Sequence, residues 1–407
     1  MNYDAIIIGS GFGGSMVAYQ LVRAGFKVLM LERGDWVKRS SHNWEADGTL
    51  ELTPHHTTET SYRILAGGTQ DSMGLNSCVG GPSVFYGTVS MRFREADFDA
   101  NSTIVGDSGA CWPYKYANLE PYYTHAEQLL NIAGETGNDP TEPYRSAPYS
   151  QKPNTLSPTS QMIGNAAKEL GLTPFRLPLA INYASENGRT SCITCMTCDS
   201  FACAIQAKND LPTCVLSELT QKGLEIKANT VATRLVAEGQ QIVAVECFDK
   251  QTNQKVRYHA KQFILSAGAL GSPHLLLASK LEQFNPGGHT IGHYLMRHCN
   301  GIVFGLFPRN PNSTQQFHKQ LGIHDFYFGH PTIQNPSGKL GNIQQLQTPP
   351  VSLVEAYLPK PLGKILSPLV KHLTGLQVIA EDQPQYNNHV AINWSQKDRF
   401  GLPQLTV

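Results

Sequence analysis

Residues 3–33 read YDAIIIGSGFGGSMVAYQLVRAGFKVLMLER, and this stretch decides the fold. The apolar run at residues 3–8 predicts a strand that is buried on both faces of a sheet. Apolar side chains recur at helical spacing over residues 15–23, and residues 27–31 predict a second strand. A strand, a glycine turn, a helix and a strand in this order predict a Rossmann-like α/β fold.

The glycine turn has the G-x-G-x-x-G spacing that binds the pyrophosphate of a dinucleotide. Gly9 permits the tight turn, Gly11 lets the backbone approach the pyrophosphate, and Gly14 lets the helix pack closely on the strand. Glu32 ends the second strand, 18 residues after Gly14. At this position its carboxylate can bind a ribose 2′-hydroxyl, so the stretch predicts a nucleotide-binding domain.

Length and composition narrow the class of protein. The 407 residues are enough for two domains, and the formal net charge is zero. Because the chain has no basic block, a nucleic acid is not an expected partner. No apolar run is long enough to span a bilayer and no secretory signal peptide is evident, which predicts a cytoplasmic location unless a partner carries the chain out.

Changes in composition along the chain predict a discontinuous organisation. Residues 1–100 and 205–300 form the predicted nucleotide-binding domain. Residues 101–204 form an inserted region of helices and loops, and residues 301–407 form part of a second, α+β domain. Residues 77–94 are predicted to be a turn of small residues that runs into a strand.

Three further segments in the same order resemble the glucose–methanol–choline (GMC) oxidoreductases, flavoenzymes that oxidise alcohols. Residues 80–87 (GGPSVFYG) resemble the first signature of the family. Residues 268–279 (GALGSPHLLLAS) resemble its second signature, although Lys280 follows where glycine is usual. Residues 112–127 and the D-x-x-G-x-P pattern at residues 398–403 also fit, so the resemblance covers essentially the whole chain.

The resemblance implies FAD as the cofactor, whereas Glu32 alone would suit FAD or NAD. By position, the residues implied to hold FAD are Gly9, Gly11, Phe12, Gly13, Gly14, Glu32, Arg33, Gly80, Gly81, Ser83, Tyr86, Gly87, Val231, Ala267 and Gly268. Some members of the family attach FAD covalently through a histidine near position 85. Because Phe85 and Tyr86 stand there, we predict FAD that is bound non-covalently.

The implied reaction passes a hydride from an alcohol, a CH–OH donor, to flavin N5, while a histidine takes the hydroxyl proton. In the family this histidine lies after the D-x-x-G-x-P pattern, and this sequence stops at Val407, about a hundred residues earlier than the resemblance implies. The other histidines that we considered are expected to be structural or solvated: His55, His56, His289, His293 and His298. We therefore predict no catalytic residue in this chain and a truncated alcohol dehydrogenase or oxidase. The alternative is a non-catalytic FAD-binding or electron-transfer fragment.

Four of the nine cysteines lie within twelve residues, at Cys192, Cys195, Cys198 and Cys203. Their C-x2-C-x2-C-x4-C spacing can bind an iron–sulfur cluster, and some resembling dehydrogenases carry cysteines and a cluster here. A cluster would imply an electron-accepting protein or a quinone as partner. Zinc, disulfides and free thiols are the alternatives. A flavin disulfide reductase could use Cys192 and Cys195, but the sequence has no second nucleotide fingerprint.

Residues 361–373 (PLGKILSPLVKHL) have leucine, isoleucine and valine at helical spacing. Pro361 suits the start of a helix, and Pro368 is expected to kink it. We interpret the segment as a helix that packs on the second domain. A surface for a partner subunit, a lipid interface or an apolar substrate is the alternative.

Overall fold

The computed structural model describes residues 2–45, 61–66, 69–100, 105–184, 188–333, 339–351, 354–355 and 358–407. Within these residues the strands are β1 (Asn2–Ile8), β2 (Val28–Leu31), β3 (Ser61–Ala66), β4 (Thr69–Gly74), β5 (Pro174–Arg176), β6 (Glu225–Lys227), β7 (Thr230–Glu238), β8 (Gln241–Asp249), β9 (Gln254–Leu265), β10 (Cys299–Leu306), β11 (Leu321–Ile323), β12 (Asn342–Leu346), β13 (Leu373–Ala380), β14 (Ala391–Lys397) and β15 (Pro403–Thr406). The principal helices are α1 (Phe12–Arg23), α2 (Tyr116–Leu129), α3 (Pro158–Glu169), α4 (Ser217–Gln221), α5 (Gly268–Ala278) and α6 (Lys360–Val370).

A six-stranded sheet forms the nucleotide-binding part of the molecule, with the order β6-β2-β1-β9-β8-β7. The first four strands are parallel, and β8 and β7 continue the sheet as an antiparallel hairpin. Ile7 and Met30 pack with α1 on one face, and Ile6 and Leu29 pack with α5 on the other. Consecutive side chains of a strand point to opposite faces of the sheet, and a helix packs on each of these faces. This arrangement confirms the Rossmann-like α/β prediction.

A second sheet is antiparallel and has the order β10-β13-β12-β11-β5. Four of its strands come from residues 299–380, whereas β5 comes from the segment predicted to be an insertion. Strand β5 pairs with β11, with Arg176 opposite Leu321 and Pro174 opposite Ile323. This pairing ties the middle of the chain to the second domain.

A third sheet, with the order β14-β15-β3-β4, joins an early segment of the chain to its last strands. Thr406 of β15 pairs in parallel with Arg63 of β3. Tyr62, Val390 and Leu405 form its small apolar core. The arrangement brings the residues after β4 and the residues before β15 to the same side of the six-stranded sheet, where both line the cavity described below.

The strand predicted within residues 77–94 does not form. The segment contains a short 3₁₀-helix at Gly81–Val84, and single bridges at Cys78 and Val89 are its extended pairings. Gly80 and Gly81 both have positive φ angles, of 90° and 55°, which turn the chain away from an extended path. The segment is therefore a folded loop rather than a strand.

The amphipathic segment forms a helix as predicted, but it does not bury its apolar side chains. Helix α6 continues through Pro368, and its buried residues are Gly363 and Val370. Leu362, Ile365 and Leu369 are exposed. The helix thus packs through Val370, at one edge of the predicted apolar face, whereas the rest of that face is largely exposed. In the described part of the chain, no helix has the length and apolar character needed to cross a membrane.

Candidate functional site

A cavity of about 1030 Å³ lies at the carboxyl ends of β1, β2 and β9. Ile8, Leu31 and Ser266 line it where these three strands end. Open parallel sheets bind ligands at this edge. The cavity is as large as the upper end of the roughly 300–1,000 Å³ that is usual for small-molecule sites. Its position and size suit an extended ligand such as a dinucleotide.

The glycines of the first turn have different roles in shaping the cavity. Gly9 has a φ of 102°, and a Cβ there would overlap the carbonyl group of Ser266. A Cβ at Gly14 would overlap the carbonyl oxygen of Gly9, so that glycine permits the close packing of α1 on β1. At Gly11, by contrast, a Cβ would meet no atom within 4 Å, and this residue lines the cavity. Gly11 is therefore where a ligand can approach the backbone.

The N-terminus of α1 opens into the same cavity. Gly11 is its N-cap residue, no side chain caps the helix, and its first turn contains no acidic residue. Phe12 and Gly13 also line the cavity. Uncapped N–H groups and the positive end of the helix dipole favour an anion such as a pyrophosphate.

Glu32 lies in the cavity wall and is held in one orientation. Its Oε2 accepts hydrogen bonds from the N–H of Ser10 at 3.1 Å and from the Ser10 hydroxyl at 2.6 Å. Its Oε1 accepts from the N–H of Gly34 at 2.9 Å. Burial raises the pKa of Glu32, and these donors act in the opposite direction. Arg33 lines the cavity beside it.

The second glycine loop is joined to the first through Ser10. The Ser10 hydroxyl accepts a hydrogen bond from the N–H of Gly80 at 2.9 Å. Gly81 lines the cavity, and a Cβ there would lie 3.2 Å from the Cα of Gly11. Ser83 is fully buried behind the loop, where its hydroxyl donates to the carbonyl of Gly80 at 2.7 Å. Gly81 thus lines the cavity, whereas Gly80 and Ser83 lie behind it and hold the loop in position.

Tyr86 and Gly87 lie next to the cavity rather than in its wall. The ring of Tyr86 contacts the ring of Phe12 edge to face, with centroids 5.7 Å apart. Its hydroxyl donates to the carbonyl of Asn209 at 3.3 Å, and burial raises its pKa. A Cβ at Gly87 would overlap the ends of the Asp199 and Lys319 side chains, which would have to move to admit a larger residue.

The opposite wall comes from β7, β9 and α5. Ala267 and Gly268 line the cavity, as do Thr230 and Ala232. Val231 does not line it, because its side chain is fully buried against Phe400 and Leu402. Side chains alternate between the two faces of a strand, so Val231 points away from the cavity while its two neighbours line it.

Other lining residues were not predicted to bind the cofactor. They include Leu75, Asn76, Ser77, His274, Gln396, Lys397, Asp398 and Gln404. The D-x-x-G-x-P pattern, which begins at Asp398, could have indicated this residue from the sequence. Its Oδ1 accepts hydrogen bonds from the N–H groups of Phe400 and Leu402, both at 2.9 Å. Nε2 of His274 donates to the carbonyl of Pro403 at 2.7 Å, and burial lowers the pKa of this imidazole. The motif turn thus folds the last strand onto α5.

The four clustered cysteines do not form a metal-binding group. Among the described residues, which include every cysteine of the chain, no three or more His, Cys, Asp or Glu side chains come together in a way that could hold a metal ion. Cys192 and Cys198 pack instead against the apolar cluster around Phe175 and Phe317. Burial raises the pKa of both thiols to about 12. As placed here, the four cysteines do not form a ligand set for an iron–sulfur cluster or for zinc, and the metal-ligand prediction has no support from the described residues.

None of the histidines considered for catalysis lines the cavity within the described residues. Nδ1 of His293 interacts with the carbonyl oxygen of Tyr386 at 2.7 Å, and the two rings stack. Nδ1 of His289 interacts with the carbonyl oxygen of Pro286 at 3.1 Å, and His298 is exposed. His55 and His56 lie outside the described residues.

The sequence matches the family model for GMC oxidoreductase over residues 3–300. The chain belongs to the GMC oxidoreductase family. It is 30% identical over 331 residues to 6'''-hydroxyparomomycin C oxidase of Streptomyces lividus, an alignment that covers 76% of this chain and 57% of that protein. It is 31% identical over 286 residues to paromamine 6'-oxidase of Streptomyces fradiae, an alignment that covers 68% of this chain and 50% of that protein. The chain thus spans about half the length of these curated relatives.

Two solved structures of this GMC oxidoreductase fold cover the whole chain. Pyridoxine 4-oxidase from Mesorbium loti superposes with a TM-score of 0.66 at 18% identity, and 75% of that chain is covered. An R554K variant of formate oxidase from Aspergillus oryzae RIB40 superposes with a TM-score of 0.61 at 13% identity, and 77% of that chain is covered. At these identities the likeness shows the fold.

Proposed function

We propose that this chain binds FAD non-covalently in the cavity and is the FAD-binding part of an enzyme that oxidises a CH–OH donor. The observation that carries the proposal is the meeting of Gly11, the uncapped start of α1 and the carboxyl group of Glu32 in one cavity. A pyrophosphate suits the first two and a ribose hydroxyl suits the third. Family membership supports FAD as the dinucleotide.

Each wall of the cavity has a role in this proposal. Gly11, Phe12 and Gly13 would hold the pyrophosphate through backbone N–H groups, while Glu32 would hold the adenosine ribose. Gly81, Ala267 and Gly268 would let the flavin half lie close to the backbone. FAD, when bound, supplies the acceptor for a hydride from the carbon of the alcohol.

The proposal of non-covalent attachment rests on the chemistry of the second loop. Phe85 has no nucleophilic group. The phenol of Tyr86 is buried, donates its proton to Asn209 and has a raised pKa, so it is a poor nucleophile. Acid precipitation of the purified protein is expected to release all flavin into the supernatant.

The proposed substrate class is a sugar or amino-sugar alcohol. The names of three relatives support it: 6'''-hydroxyparomomycin C oxidase, paromamine 6'-oxidase and the fructose dehydrogenase large subunit of Gluconobacter japonicus. The last is 25% identical over an alignment of 445 residues that covers all of this chain and 79% of that protein. Admission of oxygen after bleaching would identify the electron acceptor, because the flavin of an oxidase reoxidises with oxygen, whereas that of a dehydrogenase requires a quinone or a protein.

An anaerobic absorption spectrum of the purified chain, before and after addition of sugar alcohols and amino sugars, tests the proposal. Flavin bands that bleach with a substrate would support an alcohol-oxidising enzyme. Flavin bands that no alcohol bleaches would support the alternative of an FAD-binding fragment without catalysis. A chain that is folded by circular dichroism but binds no added FAD would contradict the proposal.

A further inference from the structure

The second domain carries an apolar surface that the nucleotide site does not use. On α6, Leu362, Ile365 and Leu369 are 43%, 68% and 42% exposed. Helical geometry places these three residues and Leu366 within about 100° of arc on one side of the helix. Gly363 and Val370, on a different side, are the buried residues that attach α6 to the protein. We call these four exposed or half-exposed side chains the α6 stripe.

The apolar surface continues from α6 onto an edge strand. The N–H of Phe307 donates to the carbonyl of His372 at 2.9 Å, just after α6 ends. Leu306, the last residue of β10, pairs with Leu373 and is 62% exposed. Ile302, four residues earlier in the same strand and on the same face as Leu306, is 53% exposed. The stripe and the end of β10 therefore form one extended apolar region rather than single exposed residues.

The charge around the stripe indicates which partner fits. Residues 360–372 contain Lys360, Lys364 and Lys371 and no aspartate or glutamate. All three lysines are exposed, and helical geometry places them on the side of α6 opposite the stripe. A short helix with an apolar face and a lysine-bearing polar face suits the interface of an anionic bilayer. A symmetric contact through the stripe with a second copy would leave the lysine-bearing side without a partner, whereas an anionic bilayer engages both sides.

We propose that α6 and the adjoining end of β10 form a surface that docks on an anionic lipid bilayer without crossing it. The apolar stripe enters the boundary between headgroups and acyl chains, and the lysines attract the negative surface from the polar side of the helix. The nucleotide cavity lies in the other part of the fold and is not part of this contact. Membrane docking would hold the enzyme where apolar electron carriers are dissolved.

Flotation of the whole chain with vesicles tests the proposal. We expect binding to phosphatidylcholine vesicles that contain phosphatidylglycerol, weaker binding to phosphatidylcholine alone, and a decrease with salt. The variant Leu362→Gln/Ile365→Gln/Leu369→Gln should lower the partition coefficient about tenfold or more. The variant Lys360→Gln/Lys364→Gln/Lys371→Gln should lose the preference for anionic vesicles. Leu170→Gln, at a 77% exposed leucine on another helix end, is the matched control and should bind like the unmodified chain.

A second measurement tests the proposal even if the variant Leu362→Gln/Ile365→Gln/Leu369→Gln is unstable. Ile365→Trp should show additional quenching by brominated lipids relative to the unmodified chain. Failure of the unmodified chain to bind either vesicle would overturn the proposal, as would equal binding of the stripe variant. Sedimentation that shows a dimer of the unmodified chain and a monomer of the stripe variant, without vesicle binding, would assign the surface to a second copy instead.

Discussion

Gly11 and Gly14 belong to one glycine fingerprint, but the space around them separates their roles. A side chain at Gly14 would overlap the backbone of Gly9 inside the protein. A side chain at Gly11 would project into open space at the cavity wall. This difference supports the proposed role of Gly11 in cofactor binding and assigns Gly14 to the packing of α1 on β1.

We therefore expect Gly11→Ala and Gly14→Ala to fail in different ways. Gly11→Ala should keep its free energy of unfolding nearly unchanged while its affinity for FAD falls about tenfold or more, because the methyl group occupies the approach path. Gly14→Ala should lose about 1–3 kcal/mol of stability through overpacking. Urea unfolding of the FAD-free chain and fluorescence titration with FAD measure the two effects. Equal loss of stability in both variants would contradict this assignment.

At the scale of elements, Lys208 holds the loop of the four clustered cysteines, residues 192–203, against the second glycine loop. Its side chain is fully buried, and Nζ donates to the carbonyls of Tyr86, Cys198 and Phe201 at 2.9, 2.8 and 2.7 Å. Two segments more than a hundred residues apart in sequence thus share one ammonium group. Because buried carbonyl groups need donors, the lysine helps to order the loop.

Replacement of Lys208 by methionine should loosen this loop. We expect Cys198 in Lys208→Met to react with iodoacetamide at least about tenfold faster than in the unmodified chain, because opening of the loop hydrates the buried thiol. This effect should outweigh the loss of the Lys208 charge, a charge that by itself lowers the pKa of Cys198. The exposed Cys111 is the internal control and should react equally fast in both proteins. Peptide mass spectrometry after timed labelling measures both rates. An unchanged rate at Cys198 would show that other contacts hold the loop.

At the scale of the whole molecule, a buried network around Arg92 joins the second glycine loop to α2. Nε and Nη2 of Arg92 donate to the two carboxylate oxygens of Glu127 at 2.9 and 2.6 Å, and Nη1 donates to Glu120 at 3.0 Å. Arg145 also binds Glu127, at 2.7 Å. Removal of one member of such a buried group leaves charges without a partner, which costs more than the pair itself contributes.

Arg92→Met should therefore lose about 3–5 kcal/mol of unfolding free energy. The exposed pair of Lys115 and Asp99, at 3.3 Å, is the matched comparison. Lys115→Met should change stability by about 0–1 kcal/mol, because water screens that pair. Urea denaturation at one pH measures both variants. Similar losses in the two would indicate that the buried network is not central to stability.

The sequence alone determined the parts of this protein that depend on local pattern. The strand, glycine turn, helix and strand of the first 33 residues follow from apolar periodicity and from glycine positions that admit no side chain. The family motifs led to the correct family, and nine of the fifteen residues that they implied to hold FAD line the cavity. Helix α6 was also predicted, because its 3.6-residue period lies within one short segment.

Only the tertiary structure decided which distant segments meet and which way their side chains point. Pairing of β15 with β3 brings the D-x-x-G-x-P turn to the cavity, and no local pattern specifies that neighbour. A shift of one residue along β7 exchanges Val231 for Thr230 and Ala232 at the wall, because strand faces alternate. Burial of Cys192 and Cys198, and exposure of the α6 stripe, depend on what else packs nearby. Spacing states which residues could act together, whereas long-range packing decides whether they meet.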